Sequence, residues 1–144
     1  MYRDTMQSVE LLLVHPGGPF WRNKDDGAWS IPKGEIGADE NPEDVARREF
    51  MEELGSVPSG PLRPLGEIRQ RGGKCVHAFA VEGDLDVSTL VSNTFEMIWP
   101  PKSGRTQTFP EVDRAEWFAL PAARKKILEG QRPLLDRLQV LISR

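Results

Sequence analysis

Three glutamates at helical spacing are the residues of this sequence best suited to bind a metal ion. Glu49 is followed three and four positions later by Glu52 and Glu53, and residues at these separations are neighbours on one face of a helix. Carboxylates without histidine or cysteine companions favour a hard ion, Mg²⁺ or Mn²⁺, over Zn²⁺. Mg²⁺ keeps several waters and completes its coordination with substrate phosphates, which suits an open carboxylate stripe. A solvated helix face is the alternative, because charge pairs on helices are usually solvated.

A helix over Pro42–Leu54 is predicted to position these glutamates. Asn41 has the character of an N-cap, and proline is favoured at the first helical position. Gly55 is expected to end the helix in a left-handed conformation. Apolar residues recur at every fourth position on the adjacent face, which is therefore expected to pack on a sheet. These apolar residues are Ala46, Phe50 and Leu54.

Strands and further helices are predicted on both sides of this helix. The predicted strands are 9–14, 29–31, 65–69, 74–81, 94–99 and 115–119, and the predicted later helices are 121–128 and 133–142. Residues 70–73 are better explained as a hairpin turn than as a phosphate-binding loop, and a long loop begins at Pro100. The length and this element order indicate one α/β domain over residues 1–144 with a mixed sheet.

The bulk composition excludes several functions. The net charge of -3, from 19 basic and 22 acidic residues, gives no field for nonspecific binding of duplex nucleic acid. The single cysteine, Cys75, lacks partners for a disulfide or a zinc site and is expected to be buried in a strand. The apolar run near the N-terminus is too short for a signal sequence or a membrane span, so we expect a cytoplasmic protein without a membrane partner.

The residues around the three glutamates extend the pattern into a longer motif that resembles the Nudix box, the signature of the Nudix hydrolases. The matching residues are Gly34, Glu40, Arg48, Glu49, Phe50, Glu52, Glu53 and Gly55. Ser56 occupies the final position, normally a large aliphatic residue, and this departure affects helix packing more than metal binding. A motif with so many fixed positions is specific, unlike a lone short motif. The resemblance implies a Nudix-type α/β/α sandwich with a mixed central sheet.

The resemblance also implies a metal site. In the family, the glutamates that match Glu49, Glu52 and Glu53 bind divalent ions, and a carbonyl near the glycine that matches Gly34 often adds a ligand. The expected cofactor is Mg²⁺, with Mn²⁺ as a substitute. Such ions neutralise phosphate oxygens and lower the pKa of a bound water that attacks phosphorus.

Other residues acquire roles from the same resemblance. The arginine that matches Arg48 orients the first metal-binding glutamate through a salt bridge, and the glutamate that matches Glu40 usually braces the loop against the helix. The general base stays open among Glu52, Glu53 and Glu111, because some relatives use a glutamate from a later loop. Solvation is the alternative for Glu111, as for any acid on a loop.

Basic and aromatic residues provide clues to the substrate. The segment 29–34 resembles the approach to the box in diadenosine and diphosphoinositol polyphosphate hydrolases, where the lysine that matches Lys33 can contact the phosphate chain. Those relatives usually carry a glutamate where Gly37 stands here. Further basic residues are candidates for phosphate contacts, with exposure in surface loops as the alternative. These candidates are Arg69, Arg71 and Lys74 at the predicted hairpin and Lys102 and Arg105 in the long loop.

The segment 15–21 resembles a bacterial group described as predicted NTP pyrophosphohydrolases, and its Phe20 and Trp21 are candidates for stacking on a base.

From the resemblance as a whole we expect Mg²⁺-dependent hydrolysis of a phosphoanhydride bond in a nucleoside polyphosphate or a nucleoside diphosphate derivative. Nucleoside triphosphates and dinucleoside polyphosphates are the preferred substrates. The alternatives are a noncatalytic nucleotide-sensing module and removal of a 5′ pyrophosphate from RNA.

Overall fold

A computed structural model describes residues 1–34, 36–69, 73 and 75–143 of the chain. The helices and strands are β1 (Tyr2–Asp4), β2 (Val9–Pro16), α1 (Pro42–Leu54), β3 (Arg63–Arg69), β4 (Cys75–Ala80), β5 (Thr94–Ile98), β6 (Thr106–Pro110), β7 (Val112–Ala119), α2 (Leu120–Lys126) and α3 (Arg132–Ile142). Most of the predicted 70–73 turn, and the candidate phosphate contacts Arg71 and Lys74, lie outside the described residues.

Strand β2 lies at the centre of the fold and is covered on both faces. It pairs antiparallel with β1 on one side and with β7 on the other. Because side chains alternate along a strand, Leu12 packs with Phe50 of α1, while Leu13 on the opposite face packs with Ile127 and Leu135. Helices therefore cover both faces of the sheet, and the predicted α/β/α sandwich is confirmed.

Parallel pairing joins β1 to the chain that leaves β4. The backbone N–H of Tyr2 donates to the carbonyl oxygen of Val81 over 2.9 Å, and the N–H of Gly83 donates to the carbonyl oxygen of Tyr2 over 3.0 Å. Tyr2 and Glu82 form a parallel bridge, whereas β3 and β4 pair antiparallel. This junction gives the sheet its mixed character.

Several predicted elements differ from those in the structure. In the predicted 29–31 strand, Trp29 and Ser30 form isolated bridges only, and the Ile31 N–H donates to the side chain of Gln131 over 3.0 Å instead of to a neighbouring strand. Strand β6 follows the predicted loop and pairs with β5, with Phe95 opposite Phe109. Strand β1 is a further element that the sequence does not indicate, and β7 begins at Val112, earlier than predicted.

Cys75 is exposed, and the prediction of a buried thiol is wrong. Cys75 is the first residue of β4 and pairs with Arg69, the last residue of β3. Alternation along the strand turns Val76 toward the core and Cys75 away from it. Among the described residues, no helix has the length and apolar character needed to span a bilayer.

Candidate active site

Helix α1, which carries the three glutamates, is fixed at both ends by local contacts. The Asn41 side chain accepts hydrogen bonds from the backbone N–H groups of Glu43 (2.9 Å) and Asp44 (3.3 Å), which have no partner within the helix. Gly55 ends the helix with φ 79°, a left-handed conformation that glycine adopts without strain. Both predicted ends are confirmed, so the glutamates keep the predicted spacing on one helix face.

Glu53 is the most buried of these glutamates, with 7% of its surface exposed. Its Oε2 accepts a hydrogen bond of 2.9 Å from the backbone N–H of Lys33. Burial raises the pKa of Glu53 from 4.5 to about 8; the hydrogen bond from Lys33 opposes the rise, and the charges of Glu49 and Glu111 add to it. The loop that carries Lys33 therefore covers the carboxylate of Glu53 on the helix.

Gly34 lies directly against the carboxylate of Glu49. A Cβ atom at Gly34 would overlap the carboxylate carbon and both carboxylate oxygens of Glu49. Glycine is therefore required for the loop backbone to approach the helix this closely. Partial burial raises the pKa of Glu49, the charge of Glu52 raises it further, and Arg48 opposes the rise. The Gly34 backbone and the Glu49 carboxylate thus stand side by side.

Arg48 connects this helix to the loop that precedes it. Its Nη1 donates to Oε2 of Glu40, and its Nη2 lies 3.7 Å from Oε1 of Glu49. The other oxygen of Glu40 accepts a hydrogen bond of 2.8 Å from the backbone N–H of Gly37. The Arg48 contact, followed by the Gly37 contact, lowers the pKa of Glu40. These contacts join loop and helix in the manner expected of a bracing glutamate, and the effect of Glu40 on activity stays a prediction.

Glu111 occupies a corner between β6 and β7 and lines the same cleft as Glu53. Its backbone N–H donates to the carbonyl oxygen of Asn93 over 2.8 Å, and its own carbonyl oxygen accepts from the N–H of Gly17 over 2.9 Å. The side chain is exposed and lines an open cleft together with Lys33 and Glu53. The structure thus brings the later acid to the box glutamates.

The carboxylates around this cleft repel one another. Glu52 and Glu111 raise the pKa of Glu49, and Glu49 and Glu111 raise that of Glu53. Within the described ranges, no three acidic, histidine or cysteine side chains are close enough together, as they stand, to hold a metal ion. A donor set made only of carboxylates matches the ligand preference of a hard divalent cation. Binding such an ion would require these side chains to turn toward one another.

Among the described residues, one predicted phosphate contact lines the cleft and three do not. Lys33 lines the cleft beside Glu53. Arg69 is exposed at the end of β3. Lys102 and Arg105 are exposed at the tip of the β5–β6 hairpin, and Arg105 is six residues, or roughly 20 Å of extended strand, from Glu111.

The two predicted base-stacking residues have different surroundings. Trp21 packs against the hydrophobic core, and the ammonium group of Lys24 lies 5.2 Å from its ring centroid. Phe20 is 62% exposed, and its ring meets that of Trp99 edge to face with 5.4 Å between centroids. Sequence reasoning does not identify Trp99, because its contact with Phe20 depends on how β5 folds back on β6.

Gly17 is a site residue that the sequence signals only as a chain break. A Cβ atom at Gly17 would overlap the carbonyl oxygen of Pro110. The absence of a side chain lets β2 lie close to the Glu111 corner. The double glycine that follows the buried strand is the signal that marks such a close approach.

Comparison with known proteins places this site in context. Residues 1–138 match the model of the NUDIX domain. An octanoyltransferase from Myxococcus xanthus is 29% identical over 141 residues, which are 92% of this chain and 36% of that protein. The chain therefore spans about a third of the length of this curated relative.

Solved structures share the fold at low sequence identity. A C. elegans Ap4A hydrolase binary complex has a TM-score of 0.65 and 19% identity, covering 99% of this chain and 93% of that chain. The NUDIX domain of Shewanella oneidensis NrtR, complexed with ADP ribose, has a TM-score of 0.65 and 18% identity over 99% and 83% of the two chains. A MutT protein from Methanosarcina mazei Go1 has a TM-score of 0.59 and 18% identity over 99% and 91%.

Proposed function

The chain belongs to the Nudix family, and from this premise we propose that it hydrolyses a phosphoanhydride bond in a nucleoside polyphosphate or a nucleoside diphosphate derivative. Nucleoside triphosphates and dinucleoside polyphosphates are the preferred substrates. One observation carries the proposal: Glu53, Glu111 and Lys33 line a single open cleft, and Glu49 lies beside it under the Gly34 loop. Acids and a cation arranged in this way suit the hydrolysis of a polyanionic substrate.

A divalent ion, Mg²⁺ or Mn²⁺, is the proposed cofactor. Glu49, Glu52 and Glu53 would hold it, with the backbone carbonyl near Gly34 as a further ligand. Family members generally use such an ion, and the like charge of these carboxylates supports its binding here. When bound, the ion neutralises phosphate oxygens and lowers the pKa of a coordinated water.

The side chains of the cleft supply the remaining chemistry. Lys33 binds and orients the phosphate chain through its ammonium group. A carboxylate, from Glu52, Glu53 or Glu111, accepts a proton as the water oxygen forms its bond to phosphorus. The bond from phosphorus to the bridging oxygen breaks, and the leaving phosphate carries away the electron pair. Arg48 acts as a positioning residue, because its guanidinium connects Glu40 to Glu49.

Two alternatives use the same fold. A nucleotide-sensing module would bind without turnover, and the similarity to the NrtR domain concerns the fold alone. The retained box glutamates favour catalysis over sensing. Removal of a 5′ pyrophosphate from RNA would require the same chemistry, and the net charge of -3 does not favour a long nucleic acid.

A substrate panel tests the proposal. Nucleoside triphosphates, dinucleoside polyphosphates, nucleotide sugars and diphosphoinositols are assayed with Mg²⁺ and with Mn²⁺, using wild type, Glu52→Gln and Glu53→Gln. Either substitution is expected to lower kcat at least about a hundredfold, as for lost metal or base catalysis. Glu43→Gln is the matched control, because Glu43 is an exposed acid in the first turn of the same helix.

The outcomes separate hydrolysis from nucleotide sensing. Turnover of a nucleotide that is lost in both cleft variants and kept in Glu43→Gln supports hydrolysis at this site. Binding in calorimetry without product, in folded protein, supports the sensing module. Near-native rates in both Glu52→Gln and Glu53→Gln would refute the assignment of the site.

A further inference from the structure

One face of the β5–β6 hairpin carries large side chains. Phe95, Met97 and Trp99 alternate with Thr94, Glu96 and Ile98, and the first set is partly buried while the second is exposed. Across the ladder, Phe109 lies opposite Phe95 with 6.0 Å between ring centroids. The hairpin thus has an apolar, mainly aromatic face.

The loop after β2 lies along this face. A Cβ atom at Gly18 would stand 3.0 Å from Cζ of Phe95, so the loop backbone rests against that ring. Phe20 meets Trp99 edge to face. In an edge-to-face pair the ring that presents its edge keeps both faces clear of its partner. Because Phe20 is 62% exposed, this pair leaves aromatic surface open to solvent.

The aromatic face is continuous with the cleft. Pro16 and Glu111 line the cleft, and Gly17 is hydrogen-bonded to Glu111. From Gly17 the loop continues along the hairpin to Phe20. Trp99, the residue after β5, lies about 14 Å from Phe95 along the direction of the strand. At the end of the hairpin farthest from the cleft, the backbone N–H of Trp99 donates to the carbonyl oxygen of Arg105 over 2.9 Å.

We propose that Phe20 and Trp99 form a stacking site for the nucleobase of a substrate whose polyphosphate chain lies in the cleft. This inference rests on the proposed hydrolytic function and specifies where its substrate extends. Aromatic rings stack on any base, because every base has a π face. Trp99 is hydrogen-bonded to Arg105, which is six residues, or roughly 20 Å of extended strand, from Glu111. A base joined through one or two phosphates cannot span this distance, so the site favours substrates with a longer phosphate chain.

Kinetics on paired substrates test the site. Adenosine 5′-tetraphosphate carries a base, and inorganic tripolyphosphate does not. In Phe20→Leu the KM for adenosine tetraphosphate is expected to rise about tenfold, the effect of one lost base stack, with kcat changed less than about twofold. The KM for tripolyphosphate should not change. Phe20→Tyr, which restores an aromatic ring, should return the KM to near the wild-type value.

Ile98→Ala is the matched control, because Ile98 lies on the opposite, exposed face of the same hairpin. It should leave both KM values unchanged. Equal changes for the two substrates in Phe20→Leu, or none, would overturn the stacking site, since mutual packing of Phe20 and Trp99 alone predicts no dependence on a base.

A binding measurement separates this inference from the proposed function. ATP is titrated into the protein in EDTA while tryptophan fluorescence is recorded, with Trp99→Phe and Trp21→Phe as variants. Quenching lost in Trp99→Phe and kept in Trp21→Phe supports the stacking site, even where wild type hydrolyses no substrate and the proposed function fails. Hydrolysis without Trp99-dependent quenching and without the KM difference leaves the function standing and overturns the stacking site.

Discussion

Replacing Glu53 by glutamine should stabilise the metal-free protein while removing its activity. The charged form of Glu53 is disfavoured in the fold, since its pKa rises from 4.5 to about 8. Between these pH values the folded state holds a proton that the unfolded state has released, so stability falls as pH rises through this window. A rise from 4.5 to about 8 corresponds to at most about 5 kcal/mol lost by pH 9.

Glutamine removes this penalty and keeps one contact. Its amide oxygen can accept the N–H of Lys33 as Oε2 of Glu53 does. Because a buried amide needs partners of its own, we expect Glu53→Gln to be more stable than wild type by about 2–4 kcal/mol at pH 9. At pH 4.5, where Glu53 is protonated in the folded state and half protonated in the unfolded state, the difference should be below about 1 kcal/mol.

Urea unfolding in EDTA at pH 4.5 and pH 9 measures this difference. Comparing variant with wild type at each pH cancels other titrating groups to the extent that they act independently. Glu43→Gln, at an exposed position of the same helix, should show no comparable pH dependence. A Glu53→Gln protein that is less stable than wild type at pH 9, or equally shifted at both pH values, would show that the buried carboxyl is not destabilised as the structure indicates.

Three further predictions concern Gly34, the contact between Arg48 and Glu40, and Glu111. Gly34→Ala should lower kcat and weaken Mn²⁺ binding by about tenfold or more, because the methyl group displaces the Glu49 carboxylate; calorimetry with Mn²⁺ showing native affinity would contradict this. Arg48→Lys and Glu40→Gln should each lower kcat about tenfold, and the double variant should have the same kcat as either single variant, since one contact joins the two side chains. Additive losses in the double variant would show that the two residues act independently. Glu111→Gln should lower kcat about a hundredfold and shift the unfolding free energy by less than about 0.5 kcal/mol, because the side chain is exposed. Unchanged turnover would show that Glu111 is a solvated loop residue without a catalytic role.

The parts of the site that the sequence predicts are those that local interactions determine. Asn41 and Gly55 act on their own backbone neighbours, so the ends of α1 can be identified without knowledge of the rest of the fold. The convergence of the glutamates follows from helical spacing once these ends are known. The resemblance to the box also predicts that Glu40 braces the preceding loop against the helix.

The parts that the sequence does not predict depend on contacts between distant segments. The burial of Glu53 requires Lys33 to lie over the helix, and no local signal gives that distance. Strand β6 contains little apolar alternation, and its pairing with β5 makes it a strand. The exposure of Cys75 depends on the register of β4, where a shift of one residue exchanges the two faces.

The hydrogen bonds around Gly17 and Glu111 have a consequence for how this protein can diversify. They fix the base of the β5–β6 hairpin to β2 and to Asn93, while in the described chain the two strands of the hairpin pair only with each other. The hairpin from Thr94 to Pro110 is thus held at its base by these bonds and along one face by the loop after β2, which contacts Phe95 and Trp99. A change of length or sequence at the hairpin tip would alter how far the hairpin reaches, while Glu111 would keep its place beside the box glutamates.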